Sequence, residues 1–569
     1  MKASDAIAEV LSANHVEYGF ELIGGMIAHL VDSINVLGKT KMISLHHEQA
    51  AAFAAGGIAR ATNNQKLGLA LGTSGPGATN LITGIADCWL DSCPCIFITG
   101  QVNTNELKLG RNIRQQGFQE LDIVSIVKTI TKFAHQITCK EEIIPVLQQA
   151  IDAARSDRPG PVLIDIPMDL QRAELPDDVI DYLSAKKDIR DTNSNSVKIF
   201  DEVFSLLSNA SKPIFLIGGG AINEPHFTAW QKVISEYGLP HVSSLKGSEK
   251  VRQQPAYYGM IGSYGTRTAN YAVQNCDLLV VLGSRMDVRQ TGADIADFAR
   301  NAKIIQIDLD KSQLENRVIA DININSTCEE FLVAHLQCLE GRSYIEKTSW
   351  QLELDAHWQE NFQDEYIDWS ISPFQICQTI SNVFKNKPVH YVADVGNNQM
   401  WVAHSLLLGE RQSIHHSGGL GAMGFAIPTA IGVAYAGECP AVILTGDGGA
   451  QLNIQELDII AREHLPVLTI VFNNQSLGMV RAFQEMYFDG RNDSTFWSGY
   501  SSSFSSIGKA YNIESFTTAD LSEFSSYINN FIKDPKPMLI EVLMSDAREC
   551  RPRLAFGNPI DKQYPLKDK

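Results

Sequence analysis

Positive charge, paired cysteines and long apolar runs are all scarce in this chain, and each scarcity excludes a class of protein. Lys and Arg number 47 against 65 Asp and Glu, a formal net charge of −18. That balance excludes a broad nucleic-acid or anionic-membrane surface while leaving room for a local basic pocket. The most apolar stretch, AMGFAIPTAIGVAYAG, is shorter than a bilayer span and contains Pro428, so no membrane partner is expected. The opening MKASDAIAEVLSANHVEYGF reads as an amphipathic helix without a basic region ahead of an apolar core. No signal peptide is read there, and a cytoplasmic location is expected. Ten cysteines are scattered without a CxxC pair, and only Cys93 and Cys95 lie close together. Reduced, packed thiols fit that pattern better than a disulfide framework or a zinc site.

What the chain does have is a repeated alternation of strand and helix. The runs KLGLALG, CIFITG, PVLIDIP, PIFLIGGG, LLVVLG, KIIQIDLD, AVILTGD, PVLTIVFNN and PMLIEVLM are short, apolar and nearly continuous. Strands buried on both faces have that character, and helical patterns between them point to βαβ units and parallel sheets. At 569 residues the chain exceeds one core. Composition turns polar around Asp177–Asn195 and again around Gly341–Ser372. The expected fold class is therefore α/β in three domains, each a mostly parallel sheet flanked by helices, with boundaries near 1–175, 190–345 and 365–569. The first and last units share a strand, glycine turn and helix pattern.

One segment carries chemistry on its face: LTGDGGAQLNIQELDIIAREHLPVLTIVFNN, from Leu444 to Asn474. It reads as strand, tight GDGG turn, helix NIQELDIIARE and strand. A right-handed crossover would bring Asp447 and Asn474 together at one sheet edge. A carboxylate and a carboxamide oxygen suit Mg²⁺, which takes its remaining ligands from phosphate and water. The glycine N–H groups and a helix N-terminus suit a phosphate. No Lys-Ser or Lys-Thr pair follows these glycines, so a Walker loop is excluded. GLGAMG at Gly419–Gly424 matches GxGxxG, but ERQSIHHSG precedes it in place of an apolar strand, which disfavours a dinucleotide turn.

Gly-Asp-Gly followed at this distance by Asn-Asn resembles the diphosphate motif of thiamine-diphosphate enzymes. Nearly end to end the chain resembles the acetohydroxyacid (acetolactate) synthase large-subunit family, through HHEQAAAFAAGGIARA, TSGPGATN, GFQELDIV, RPGPVLIDIP, TANYAV, GLGAMGFAIPTAIG and NNQSLGMVRAFQ. The resemblance implies a pyrimidine-binding domain first, a flavin-binding domain second and a diphosphate-binding domain last. It implies thiamine diphosphate, Mg²⁺ and FAD as cofactors, the FAD largely structural. Glu48 would be the carboxylate that activates the aminopyrimidine, in a water-poor pocket that shares its proton with the ring. Met423 would wedge the coenzyme into its bent form. Asp447, Asn474 and the Ser476 carbonyl would hold the metal.

The same resemblance places Gly25, Phe118, Gln119, Asn397, Gly421, Gly446, Gly448, Gly449 and Met479 around the coenzyme. It places Arg158, Gly218, Gly219, Gly265, Arg285 and Asp308 around the flavin. Arg289 would grip an acceptor carboxylate, as a planar guanidinium can. Three departures stand out. Asn397-Asn398 replaces the family's Gln-His, Val288 stands where an aspartate is usual, and Phe483 occupies the acceptor-pocket position usually held by tryptophan. The tail RPRLAFGNPIDKQYPL also differs from the family pattern.

The implied function is a carboligase that decarboxylates pyruvate and adds the two-carbon unit to a second 2-keto acid, giving 2-acetolactate. The alternatives are the same chemistry on a keto-sugar acceptor, a pyruvate-oxidase-like flavoenzyme, and a silent binding paralogue. A homodimer or homotetramer is implied, and a regulatory subunit is compatible with the family.

Overall fold

The computed structural model describes residues 1–176, 197–251, 254–340, 348–496, 499–544 and 547–566. All the strand-like runs singled out in the sequence form strands, because each is apolar enough to be buried between helix layers. The first sheet contains β1 (Tyr18–Leu22), β2 (Lys41–Ser44), β3 (Gly68–Gly72), β4 (Cys95–Gln101), β5 (Phe133–Gln136) and β6 (Val162–Pro167). The central sheet contains β7 (Pro213–Ile217), β8 (His241–Ser243), β9 (Tyr257–Met260), β10 (Leu278–Leu282), β11 (Lys303–Asp308) and β12 (Ile322–Asn325). The last contains β13 (Val389–Ala393), β14 (Gln412–His416), β15 (Ala441–Gly446), β16 (Val467–Asn473), β17 (Glu514–Thr518) and β18 (Met538–Leu543). Strand pairing within these sheets is parallel throughout.

The first sheet runs β2-β1-β3-β4-β6-β5 and the last runs β14-β13-β15-β16-β18-β17, the same order twice. The central sheet is wound differently, as β12-β11-β10-β7-β8-β9. In both end sheets the order reverses between the first and third strands, and that crevice is where open α/β sheets bind ligands. The polar stretch read as a boundary at Asp177–Asn195 lies outside the described residues, as does 341–347 of the second such stretch.

The end units meet through the helices Glu48–Ala61 and Ala426–Ala436. Both are rich in small residues and buried almost all round, so they pack as core helices and not as amphipathic surface helices. Glycines let the backbones touch: a Cβ on Gly432 would stand 1.9 Å from the Ala54 carbonyl oxygen, and one on Gly57 would stand 2.4 Å from that of Thr429.

Two local expectations are corrected. The segment before GLGAMG is a fully buried strand, β14, although it reads as polar. Some of its polar groups are satisfied inside: the Gln412 amide donates to the Phe384 and Lys387 carbonyls, and the His416 backbone N–H donates to Glu249, while both His416 ring nitrogens are buried without a partner. GDGG is not a free turn either, since a helix already starts at Asp447 and ends at Leu452. Asn453 breaks it, its side-chain amide donating to the Gly424 carbonyl and to Gln49, before the chain resumes at Ile454 and Leu457–Arg462. The free cysteines are mostly buried, with Cys93 and Cys95 in the first core. Among the described residues no helix is long and apolar enough to cross a membrane.

Candidate active site

Next to the switch point of the last sheet, which lies between β13 and β15, β15 and β16 run side by side with Gly446 opposite Phe472. The register delivers Asp447 and Asn474 to the same edge. The Ser476 N–H donates to Asp447 Oδ2 and to Asn474 Oδ1, both at 3.2 Å, so the two side-chain oxygens converge on one point. Gln475 bends the chain there in a left-handed conformation (φ 56°), which non-glycine residues adopt sparingly. Burial pushes the Asp447 carboxyl up to about 6, against the N–H groups of Gly448, Ser476 and Gln475 and the Tyr500 hydroxyl, which favour its charged form. No cationic side chain is among those stabilising groups. A divalent ion here would favour the charged form further, and one carboxylate plus amide and carbonyl oxygens is a donor set of the Mg²⁺ kind. Among the described residues no cluster of three His, Cys, Asp or Glu side chains offers a competing site.

The neighbours of this pair fit a diphosphate. A Cβ on Gly448 would meet Leu477 at 2.5 Å and the Met423 methyl at 3.3 Å, so glycine is required where Met423 overhangs the turn. Asn397 is buried, its amide donating to the Arg548 carbonyl while its Oδ1 has no partner. Asn398 is spent on structure, donating to the carbonyls of Asp394 and Leu444. Gly421 has φ 70° and open space around it. Met479 is half-buried on the helix Gly478–Tyr487, which also carries Phe483 at 40% exposure.

At the corresponding crevice of the first sheet, Glu48 is the first residue of its helix and is 6% exposed. Its Oε2 accepts from the Asn80 amide at 2.9 Å. Its Oε1 faces Gly77, where a Cβ would lie 3.1 Å away. One oxygen is thus fixed and the other left toward a gap kept open by glycine. Gln119 has φ 66° and packs on Gly75, whose Cβ would lie 3.0 Å from the Gln119 carbonyl oxygen. Phe118 beside it is 80% exposed, and Gly25 has open space about it.

The flavin set meets a single cavity of about 610 Å³. Arg158, Gly219, Arg285, Asp308 and Arg289 all line it. Gly218 and Gly265 do not. Gly218 is pressed against Gly283, whose carbonyl oxygen would be 2.1 Å from a Cβ, and Gly265 closes a tight turn on Gly262; both are packing glycines. Arg158 reaches from the first unit to pair with Asp310 at 3.2 Å, not with Asp308. Burial raises the Asp308 carboxyl, partly offset by the Asp310 N–H and by Arg158. Asp287 pairs with Arg285 at 3.9 Å, accepts the Gln290 side-chain amide at 3.1 Å and, from Arg289, accepts the backbone N–H.

Several residues here escaped the sequence reading. Asp394 is fully buried, pushed up to about 6 by burial, and accepts the N–H groups of Gly424 and Ala426 that flank Met423's turn. Its signal was available, since an aspartate ends the strand VHYVA as Asp447 follows AVILTG. Asn80, Ser417, Asp87 and Asp91 carried none, because their partners come from distant parts of the chain.

Models of the thiamine pyrophosphate enzymes match three stretches. The N-terminal TPP binding domain covers 1–126, the central domain 200–335 and the C-terminal TPP binding domain 394–542. A probable acetolactate synthase large subunit of Methanococcus aeolicus is 34% identical, covering 95% of this chain and 92% of its own. The acetolactate synthase large subunit of Cyanidium caldarium is 33% identical over 97% and 94% of the two chains. The isozyme 2 large subunit of Escherichia coli is 32% identical over 98% of both.

Proposed function

The chain belongs to the thiamine-diphosphate-dependent acetolactate synthase large-subunit family, and from that premise we propose how its residues share the work. It is an acetolactate-synthase-like two-carbon transferase with thiamine-diphosphate-binding domains. We assign the reaction as the joining of two pyruvates to 2-acetolactate with loss of CO₂. Thiamine diphosphate, when bound, supplies the electron sink that lets pyruvate lose CO₂ and hand on its two-carbon unit.

The rest is done by the chain. Glu48 Oε1 holds a proton against the coenzyme's pyrimidine ring, while Asn80 keeps the other oxygen from turning away. Asp447, Asn474 and the Ser476 carbonyl would hold Mg²⁺, and the N–H groups of Gly446, Gly448 and Gly449 would cradle the diphosphate. Asn397, with its free buried oxygen, completes that wall. Met423, which overhangs Gly448, would pack against the bound coenzyme between its ring and its diphosphate. Gly25, Phe118, Gln119, Gly421 and Met479 would border the cleft. FAD fits the 610 Å³ cavity, with Arg158, Gly219, Arg285 and Asp308 as its contacts, and Arg289 at its rim is the acceptor's carboxylate clamp. The three units, taken as 1–175, 190–345 and 365–569, divide these duties. The relatives' name, large subunit, supports a smaller partner chain, and a homodimer or homotetramer belongs to the same proposal.

The observation that carries the reading is the convergence of Asp447 and Asn474 on the Ser476 N–H. Incubation with pyruvate, thiamine diphosphate and Mg²⁺, followed by mass analysis, should yield 2-acetolactate; failure to form it from pyruvate alone would refute the assignment of the acceptor. A keto-sugar acceptor is the second reading. It is favoured by Phe483 standing in an exposed aromatic group, 4.8 Å from Tyr487 and 6.3 Å from Phe556 of the tail. Adding a nucleotide-linked keto-sugar to the same incubation separates the two.

A further inference from the structure

Three parts of the chain meet in a buried set of charges that the reaction does not use. Arg60 Nη2 contacts Asp87 at 2.6 Å and its Nη1 contacts Asp91 at 3.0 Å. Lys246, from the central unit, reaches Asp91 at 3.4 Å and Glu249 at 2.6 Å. Asp91 also accepts the N–H groups of Gly418 at 3.1 Å and Gly419 at 2.8 Å. Asp87 accepts the Ser417 hydroxyl at 2.5 Å, and the same Ser417 oxygen accepts the Ala422 N–H at 3.0 Å. Ala422 is the residue before Met423.

The turn bearing Met423 is therefore held at both ends by carboxylates. Asp394 of its own unit takes Gly424 and Ala426, and Asp87 and Asp91 of the first unit take Ser417, Gly418 and Gly419. Arg60, Asp91, Lys246 and Gly418 also form part of the wall of the 610 Å³ cavity. We infer that Ser417, Asp87, Asp91, Arg60 and Lys246 are positioning residues that couple occupancy of this cavity to the placement of Met423, and so to the affinity for thiamine diphosphate.

The physical reason is local dielectric. With water in the cavity, the Lys246 ammonium is solvated and its hold on Asp91 is screened. A ligand that displaces that water leaves Glu249 and Asp91 as the partners at hand, and the attraction between opposite charges rises as the medium becomes less polar. Asp91 then fixes Gly418 and Gly419, and the Arg60–Asp87–Ser417 arm fixes Ala422. A redox-silent flavin would in this way serve chemistry carried out in another part of the molecule. Coupling of this kind is reciprocal, so each ligand must tighten the other by the same factor.

The inference rests on the cofactor assignments above, and its test separates the two. The full-length protein, flavin-free and FAD-saturated, is titrated with thiamine diphosphate in Mg²⁺ by calorimetry, with bound FAD read by absorbance. FAD should tighten thiamine diphosphate binding by about 5-fold or more, the lower range of measured couplings. Ser417→Ala should bind each cofactor alone within about threefold of the parent while the coupling falls below about twofold. Lys246→Met removes the far end of the chain of contacts and should likewise lower the coupling below about twofold, whatever it does to FAD affinity as a cavity-wall residue; it keeps the test decisive if the buried serine variant does not fold. A parent protein that binds both cofactors without mutual effect, or variants that keep the full coupling, would overturn the inference alone. A parent protein that binds no FAD would overturn the cofactor assignment together with it.

Discussion

Gly432→Ala tests the contact on which the placement of Glu48 depends. The added Cβ would stand 1.9 Å from the Ala54 carbonyl oxygen, where contacts of real Cβ atoms begin above 3.0 Å. The helices Glu48–Ala61 and Ala426–Ala436 must then part by about 1 Å, since neither backbone atom can rotate away. Overpacking of this kind costs about 1–3 kcal/mol. Because Glu48 begins the displaced helix, the same shift moves the carboxylate against its coenzyme, and a misplacement of about 1 Å costs about 100-fold in rate. Urea unfolding followed by circular dichroism, with turnover of pyruvate measured in parallel, should show both losses. Gly409→Ala is the control, for its Cβ would meet only Gln412 at an ordinary 3.7 Å. If Gly432→Ala unfolds and turns over as the parent does, the close approach of these helices is not what sets the position of Glu48.

Glu48→Gln keeps the shape of the side chain and removes its acid; turnover should fall at least about 100-fold with the urea midpoint unchanged, and a fully active variant would refute the assignment. Asn474→Ala should raise the Mg²⁺ concentration needed for half-maximal thiamine diphosphate binding by at least about tenfold, whereas unchanged metal dependence would place the ion elsewhere. Burial pushes the Asp165 carboxyl up to about 6 although Thr99, Gln136 and Gln101 donate to it. A carboxyl raised on folding contributes stability at low pH that is lost as pH rises through the folded value, here roughly 2 kcal/mol between pH 4 and 7. The stability gap between the parent and Asp165→Asn should narrow by about that amount over this window, and parallel pH curves would contradict it.

The strands were legible because burial on both faces demands continuous apolar runs, and the motif pair was legible because a parallel crossover aligns strand ends. What escaped reading was polar burial. β14 was hidden by Gln412, His415 and His416, each inside the fold. No local pattern distinguishes a buried histidine strand from a loop; partners such as Glu249 come from another unit of the chain. Asp87 and Asp91 likewise sit in GIADCWLDS as ordinary helix residues, and only the folded chain shows Arg60 and Ser417 on them. Gly218 and Gly265 present the opposite difficulty, since both are packed against neighbouring backbone and neither lines the cavity. Glycines that end a strand or close a turn are the same in sequence whether a phosphate or a neighbouring backbone needs the room.

The repeated strand order explains how one scaffold supplies two unlike ends of a site. β2 leads into the helix that starts at Glu48, and its counterpart β14 leads through Met423 into the helix Ala426–Ala436. Those two helices are the pair that pack together through Gly57 and Gly432. β3 leads into the glycine turn of Gly75 and Gly77, and its counterpart β15 leads into Gly446 and Asp447. Equivalent positions have thus taken different chemistry: an acid faces the gap in one copy and a thioether overhangs it in the other, while bare glycines stand where the second copy has a carboxylate. The Asn80 amide steadies the acid in the first copy, and the Asp394 carboxylate steadies the thioether turn in the second. A fold used twice needs only such substitutions at the switch points to divide a coenzyme between its ring and its diphosphate.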